Sequence, residues 1–534
     1  MATKVTITPF EATALNIIPA LASNARGTFR THKTKNLEWR LVQLRKLYWA
    51  VEDFKPQLLH ALAQDLHKSD YESLLSELDW VQKDCLFMID NLAAFAKDEK
   101  LGAPHVPITF SMMNFRIRKE PLGTVLIIGP YNYPIQLVLA PLVGAIGAGC
   151  TAVIKPSELT PASAMVLKEL IETRLDNNAY LVVNGAIPET NALMNEKWDK
   201  VFFTGSAGVG TIIAKKAAET LTPVCLELGG KNPAFITKNA NLALAAKRLL
   251  WGKTQNSGQV CMSQNYILID SAVVKTFIEF LKAAEKEMFP NGAKASPDLA
   301  RIVNQRHFHR IKKMLDETKG EIVMGGQMDE SELFIEPTAV LVNSTDDSMM
   351  AEESFGPIFC IYPVHSLDQA LNIASSVHRT PLSLFSFGSK AENNRVLNEM
   401  TSGGATINDS YFHGSVNSVP FGGVGDSGSG AYRGKASFDC FTHLRTVAET
   451  PGWAERFLSV RYMPYNIKDL KFLQKITAVK PNFDRRGAIV KGFGYWAALV
   501  FGLGGKGAKG ALLRWLLVLA SGYALLAAKE ARRA

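Results

Sequence analysis

Gly123-Thr124-Val125-Leu126-Ile127-Ile128-Gly129 is the stretch that decides the fold. Five strand-favouring residues stand between two glycines, the pattern of a short strand buried on both faces. A turn follows, Pro130-Tyr131-Asn132-Tyr133-Pro134, and then an apolar segment of helix length. The same rhythm returns in Ala152-Val153-Ile154-Lys155-Pro156, in Tyr180-Leu181-Val182-Val183-Asn184-Gly185 and in Lys200-Val201-Phe202-Phe203-Thr204-Gly205. Short apolar runs alternating with helices predict an α/β fold, a parallel sheet covered on both sides. Ligands of such sheets sit at the carboxyl ends of the strands, where these turns fall. A second α/β series begins after Lys231, with a strand over 266–269, a helix near 272–289 and a further unit over 355–387. Upstream, residues 37–68 and 73–97 carry apolar positions three and four apart and read as two packed helices, and 109–118 reads as a strand.

The chemistry is sought at the turns. Cys261, in Gly258-Gln259-Val260-Cys261, is the candidate nucleophile, because a glycine-flanked loop opens an approach to sulfur and Gly258 and Gln259 are poor core-packing residues. A buried cysteine acting as a small hydrophobe is the plainer reading. Glu227, in Leu226-Glu227-Leu228-Gly229-Gly230-Lys231, has apolar neighbours that desolvate it, which suits a base that must be neutral in one step and charged in another. Asn132 offers a side-chain amide to a developing oxyanion, or is simply a turn residue. Gly205-Ser206-Ala207-Gly208-Val209-Gly210 follows a strand and opens a helix, so its backbone N–H groups suit phosphate, although the usual G-x-G-x-x-G spacing is absent. Lys155 and Glu158 suit an adenosine ribose, with Glu158 repelling a 2′-phosphate, or else form a solvated helix start. Glu353 and Phe355 lie in the turn Glu353-Ser354-Phe355-Gly356-Pro357.

At 534 residues the chain exceeds one ordinary core, so two or more domains are expected. With 47% hydrophobic and 20% charged residues it is globular rather than disordered. Six cysteines without CxxC pairs argue against a disulfide framework or a zinc site and for a reducing compartment. The charge is uneven. Residues 455–534 hold 15 Lys+Arg and 4 Asp+Glu, a net of +11 against +9 for the chain, so residues 1–454 carry −2. A basic tail fits nucleic acid or a membrane surface, and without zinc-finger or RNP motifs its apolar stretches favour membrane. The N-terminal apolar piece, residues 14–22, is short, broken by Pro19 and unlike a secretory signal.

Taken in order, these motifs resemble the aldehyde dehydrogenase superfamily over roughly residues 30–450. The body and tail look most like its membrane-anchored fatty aldehyde dehydrogenase branch, through Thr222-Pro223-Val224, Arg306-His307-Phe308, Phe421-Gly422-Gly423-Val424-Gly425, Tyr432-Arg433-Gly434-Lys435 and the 461–464 segment. The resemblance implies that Cys261 attacks the carbonyl, Asn132 and the Cys261 N–H hold the oxyanion, and Glu227 activates the hydrolytic water. It implies NAD as cofactor, with Lys155 and Glu158 at the ribose, Gly205, Ser206, Val209 and Gly210 along the cleft, and Glu353 and Phe355 at the nicotinamide. It implies an NAD-binding domain over 1–227, including oligomerisation strands over 101–120, a catalytic domain over 228–429, a return to the bridging β-extension over 430–450, a basic linker over 451–491 and a membrane-anchoring tail over 492–534. A homodimer is expected. Three departures, Tyr131 in place of a tryptophan, Val260 in place of a threonine and an N-terminal stretch of about 20 residues beyond the fatty aldehyde pattern, remove no chemical group.

The expected activity is NAD-dependent oxidation of long-chain aliphatic aldehydes on a membrane facing the cytosol, at the mitochondrial outer membrane, endoplasmic reticulum or lipid droplet. Residues 511–528, apolar apart from Arg514, form the expected anchor, with 492–505 as a shallower arm. Competing readings are a CoA-acylating enzyme, an NADP-linked aromatic aldehyde dehydrogenase and a catalytically dead membrane scaffold. Glu227 disfavours the first, and the intact Asn132, Glu227 and Cys261 set disfavours the last. His413 reads as a loop residue or a channel residue.

Overall fold

The computed structural model describes residues 5–102, 105–107, 110–477, 481–501 and 511–531. The chain forms two compact units, one of residues 1–99 and 117–446, the other of residues 100–116 and 447–534.

Two large sheets organise the first unit. A six-stranded sheet runs Gly428–Ser429, Val224–Leu228, Lys200–Gly205, Thr124–Ile128, Thr151–Lys155, Tyr180–Val182. All its pairs are parallel except the short Gly428–Ser429 edge. The strand Thr124–Ile128 is buried throughout, as its sequence predicts, and alternates between two cores. Val125 and Ile127 pack towards the helices Leu37–Asp53, Lys55–Leu66, Asp79–Ala96 and Gln136–Ala148. Leu126 and Ile128 pack with Ile18, Ala22, Ile213 and Ala217 on the other face. The N-terminal apolar piece opens the helix Ile18–Arg30 and contributes Ile18 and Ala22 to this core, while Leu15 and Ile17 stay exposed. A seven-stranded sheet runs Glu321–Met324, Thr338–Leu341, Ile358–Val364, Gln264–Asp270, Asn232–Ile236, Ser383–Phe387, Gly404–Ile407, parallel except at its Glu321–Met324 edge. The strands Arg116–Pro121 and Thr442–Val447 lie side by side in a small third sheet.

Register sets the site. Ile128 pairs with both Lys155 and Phe203, and Thr204 pairs with Glu227. The turns bearing Asn132, Glu158 and Ser206 therefore leave one sheet edge together.

Three expectations shift. The first long helix breaks at Phe54, just before Pro56, where proline cannot donate to the preceding turn. The second contains a π-helical turn, Leu74–Leu78. The strand expected over 109–118 begins only at Arg116, after the turns at Phe110 and Met113, and Thr109 lies outside the described residues.

The second unit carries the helices Ile467–Thr477, Phe493–Phe501 and Ala511–Ala531. Among the described residues no helix is long and apolar enough to cross a membrane, so the spanning anchor expected over 511–528 is not supported. Arg514 sits in the first turn of the last helix, and Ser521-Gly522-Tyr523 interrupts its apolar run. Eighteen residues would reach only about 27 Å against a hydrocarbon core of about 30 Å. Of the arm expected over 492–505, residues 502–505 lie outside the described residues.

Candidate active site

The helix Leu242–Thr254 ends in a tight turn, Gln255–Gly258. Asn256, Ser257 and Gly258 are all left-handed, with φ of 45°, 52° and 71°. Such a run is unfavourable for the two non-glycine residues, and hydrogen bonds hold it. The Asn256 side chain donates to the Asn132 carbonyl at 2.7 Å. Gly258 is required doubly, since a Cβ there would lie 2.1 Å from the Gly356 carbonyl oxygen. Gln259, expected to pack poorly, is fully buried. Its amide donates to the carbonyls of Asn256 and Arg301 and accepts from the Val303 N–H. Asn232 closes the loop from the far side by donating to the carbonyls of Cys261, at 2.7 Å, and Ser263, at 2.9 Å, while accepting from the Ser383 N–H. Sequence reasoning missed Asn232; the available signal was a polar residue opening an otherwise apolar strand.

Cys261 is partly exposed and, with Glu227, lines a cavity of about 310 Å³ whose walls include Trp80, Tyr133, Phe421 and Tyr432. Burial, reinforced by the charges of Glu353 and Glu227, pushes its thiol up to about 12. Glu227 is 3% exposed, and among the described residues neither carboxylate oxygen meets a partner at full hydrogen-bond geometry. Burial therefore raises it well above the usual carboxylate range, with Arg433 opposing. Both shifts favour the neutral forms, thiol and acid, in this apolar pocket. Asn132 is buried, and its amide donates to the Gln259 carbonyl at 2.9 Å. An amide has two N–H donors, so one is committed to the nucleophile loop.

The residues expected at the dinucleotide occupy the adjoining strand ends. Lys155 ends its strand, and its ammonium lies 3.1 Å from Glu158. Ser206 caps the helix Ala207–Ala218 by accepting from the Val209 N–H. Gly205 and Gly210 flank this turn, while Val209 and Ile212 are exposed on the helix's first turns. An uncovered apolar pair beside a helix N-terminus and a ribose-ready carboxylate fits a nicotinamide dinucleotide, the base on the apolar pair and the phosphates at the N-terminus. Glu353 faces the Gly229-Gly230 turn, which lacks side chains to exclude it: a Cβ on Gly229 would lie 2.2 Å from its carboxylate. Burial raises Glu353 to about 7. Arg310 donates to the carbonyls of Glu353 and Ser354, and Tyr131 meets the Phe355 ring edge-on at 5.8 Å.

The structure thus gathers Cys261, Glu227 and Glu353 within electrostatic reach and ties Asn132 to the cysteine loop. Lys155, Glu158, Gly205, Ser206, Val209 and Gly210 form a separate group along the same sheet edge. His413 is held through both ring nitrogens, by Ser383 at 2.9 Å and Thr406 at 2.6 Å, which is a structural role. Among the described residues no group of three or more His, Cys, Asp or Glu side chains is placed to hold a metal ion.

A cysteine and a buried carboxylate on one cavity, beside a dinucleotide cleft, define a thiol-dependent, nicotinamide-linked oxidoreductase, and the chain belongs to the aldehyde dehydrogenase family, whose profile matches residues 2–447. It is 72% identical over 534 residues, the whole of both chains, to a beta-apo-4'-carotenal oxygenase of Neurospora crassa. It is 42% identical over 436 residues to a 4,4'-diaponeurosporen-aldehyde dehydrogenase of Staphylococcus aureus, covering 81% of this chain and 94% of the other. Among solved structures, a substrate-bound aldehyde dehydrogenase of Staphylococcus aureus superposes with a TM-score of 0.83 at 39% identity, covering 87% of this chain and all of the other.

Proposed function

We propose that the protein oxidises a long, conjugated polyene aldehyde of the apocarotenal kind to its carboxylic acid, with NAD as oxidant. The observation that carries this reading is the 72% identity, end to end, with a beta-apo-4'-carotenal oxygenase. The aromatic walls of the cavity, Trp80, Tyr133, Phe421 and Tyr432, support it, since flat rings pack well against a flat polyene. The aliphatic aldehydes expected from the sequence become the comparison substrates.

Cys261, once deprotonated, adds to the aldehyde carbon. The resulting oxyanion is held by the free N–H of the Asn132 amide and by the Cys261 backbone N–H. NAD, when bound, would supply the two-electron oxidant for this carbon, and Cys261 would carry the oxidised product as a thioester. Glu227, after releasing its own proton to solvent, takes a proton from water as a carboxylate, hydroxide adds to the thioester, and the acid departs as the Cys261 thiolate is restored. Lys155 and Glu158 would hold the ribose, the Ser206 turn would meet the phosphates, and Glu353 and Phe355 would fix the nicotinamide end.

The reading includes a membrane surface, supported by exposed Phe493, Trp496 and Phe501 on one tail helix and Leu519, Tyr523 and Leu526 on another, amid basic residues. It also includes a cytosolic setting and a homodimer, both resting on the family resemblance. The deciding assay follows NADH formation by purified enzyme with an apocarotenal, with hexadecanal and with benzaldehyde, with and without CoA. A kcat/KM for the polyene at least about tenfold above that for hexadecanal is expected. A preference for hexadecanal would move the substrate to aliphatic aldehydes, and CoA-dependent turnover would overturn the hydrolytic mechanism.

A further inference from the structure

A buried charge cluster lies behind the site, on elements that carry no reacting group. Lys68 follows the helix Lys55–Leu66, immediately after left-handed His67. Glu72 lies in the turn Asp70–Ser73, and Glu77 lies in the π-helical turn Leu74–Leu78. A π-turn inserts one residue and re-aims the side chains that follow it, and here Glu77 points into the core. Lys68 and Glu77 are completely buried and pair at 2.7 Å. Burying an ion pair is unfavourable unless further hydrogen bonds satisfy it, so where those bonds go is informative.

They go to the two loops that form the site. The second oxygen of Glu77 accepts from the N–H groups of Ile135, at 2.8 Å, and Gln136, at 3.2 Å. These residues open the helix that leaves the Asn132 loop, so Glu77 caps it from a distance. Glu72 accepts from the Asn256 N–H at 2.7 Å. Asn256 is the first of the left-handed residues leading to Cys261, and its own side chain donates to the Asn132 carbonyl. Lys68 completes the cluster with its ammonium 3.9 Å from the centre of the Tyr133 ring, the residue after Asn132 and part of the cavity wall. One carboxylate grips the oxyanion loop, the other grips the nucleophile loop, and a single lysine lies beside both.

We propose that Lys68, Glu72 and Glu77 are positioning residues that keep the Asn132 amide in register with Cys261. The proposal rests on the aldehyde-oxidising reading above. None of the three touches the reacting atoms. They act through the backbone at Asn256 and Ile135, and their function is to hold the oxyanion donor to the sub-ångström tolerance such donors require. The sequence places Glu72 and Glu77 five residues apart, on either side of the start of the π-turn, and they reach two different loops.

The test is a double-mutant cycle on the full-length enzyme with NAD and decanal, reading the pre-steady-state NADH burst rate. Glu72→Ala should slow the burst by about 10- to 100-fold with both KM values within about threefold. Glu72→Gln, which keeps an acceptor for the Asn256 N–H, should recover to within about threefold of wild type. In an Asn132→Ala background, Glu72→Ala should cost less than about threefold, because the amide it positions is gone. Circular dichroism at the assay temperature confirms that each variant is folded, and should Glu72→Ala not fold, Lys68→Met read in the same cycle takes its place. A burst rate in Glu72→Ala equal to wild type, or an undiminished cost in the Asn132→Ala background, overturns the proposal. A wild-type enzyme that forms no NADH with any aldehyde instead overturns the functional reading beneath it.

Discussion

The side-chain amide of Asn132 donates to the backbone carbonyl of Gln259 at 2.9 Å, two residues before Cys261. This bond commits one amide proton to the Cys261 loop; under the proposed mechanism the other is left for the substrate oxygen. Asn132→Ala should lower the acylation burst by about 10²- to 10³-fold, the usual cost of one lost oxyanion donor. NAD affinity, measured by fluorescence titration, should change less than about twofold, because Asn132 lies outside the dinucleotide group. Asn132→Asp should not rescue, since a carboxylate offers acceptors where a donor is needed.

Glu227 couples chemistry to stability. In the folded state its carboxyl sits well above the usual range because burial disfavours the charge. The folded protein therefore holds a proton that the unfolded chain releases once pH exceeds the unfolded value near 4.5. Stability lost to this group is absent below that value and grows as pH rises towards the folded pKa. Glu227→Gln removes the term, so its melting temperature should exceed wild type by a few degrees at pH 8 and converge with it near pH 4.5. The same variant should give one burst of NADH and then stall, because acylation proceeds and deacylation lacks its base. Steady turnover at the wild-type rate would assign the base elsewhere.

The parallel sheets, their order along the chain and the loops bearing Cys261, Asn132 and Glu158 are legible in the sequence because each is written locally, as an apolar run ended by a turn. What holds those loops is not local. Gln259 reaches Arg301 and Val303, and Asn232 reaches Cys261 and Ser383. A buried glutamine and a surface glutamine look alike until partners more than 40 residues away are in place. The left-handed run Asn256-Ser257 is equally silent, since neither residue type demands it. The tail differs: Arg514 and Gly522, both plain in the sequence, interrupt an apolar run of marginal length, and among the described residues no helix is long and apolar enough to span.

Cofactor choice turns on the Lys155–Glu158 pair. With the ammonium 3.1 Å from the carboxylate, Glu158 already satisfies Lys155. A 2′-phosphate would have to displace Glu158 and would meet its charge. Wild type should prefer NAD by at least about tenfold in kcat/KM. Glu158→Gln should raise NADP efficiency about tenfold by releasing Lys155 for the phosphate, at little cost with NAD beyond one ribose hydrogen bond. Equal efficiencies with both cofactors in wild type and variant would remove Glu158 from this role.

The tail should bind a membrane surface without crossing it. Leu519, Tyr523 and Leu526 are spaced four and three apart, so they share one helical face, and all are well exposed. Such a face buries in the headgroup boundary, and the basic residues around it add attraction to anionic lipid. Full-length protein should float with vesicles containing anionic lipid and float less in high salt, which screens the electrostatic part. Replacing Leu519 and Leu526 with glutamate should reduce flotation by more than about tenfold, since each buried leucine contributes roughly 1.5–3 kcal/mol. Turnover of a water-soluble short aldehyde should be unchanged in that variant, whereas turnover of a lipid-dissolved long aldehyde should fall, because the enzyme no longer meets it at high local concentration. Flotation that survives both substitutions and high salt would mean that other residues hold the protein on the membrane.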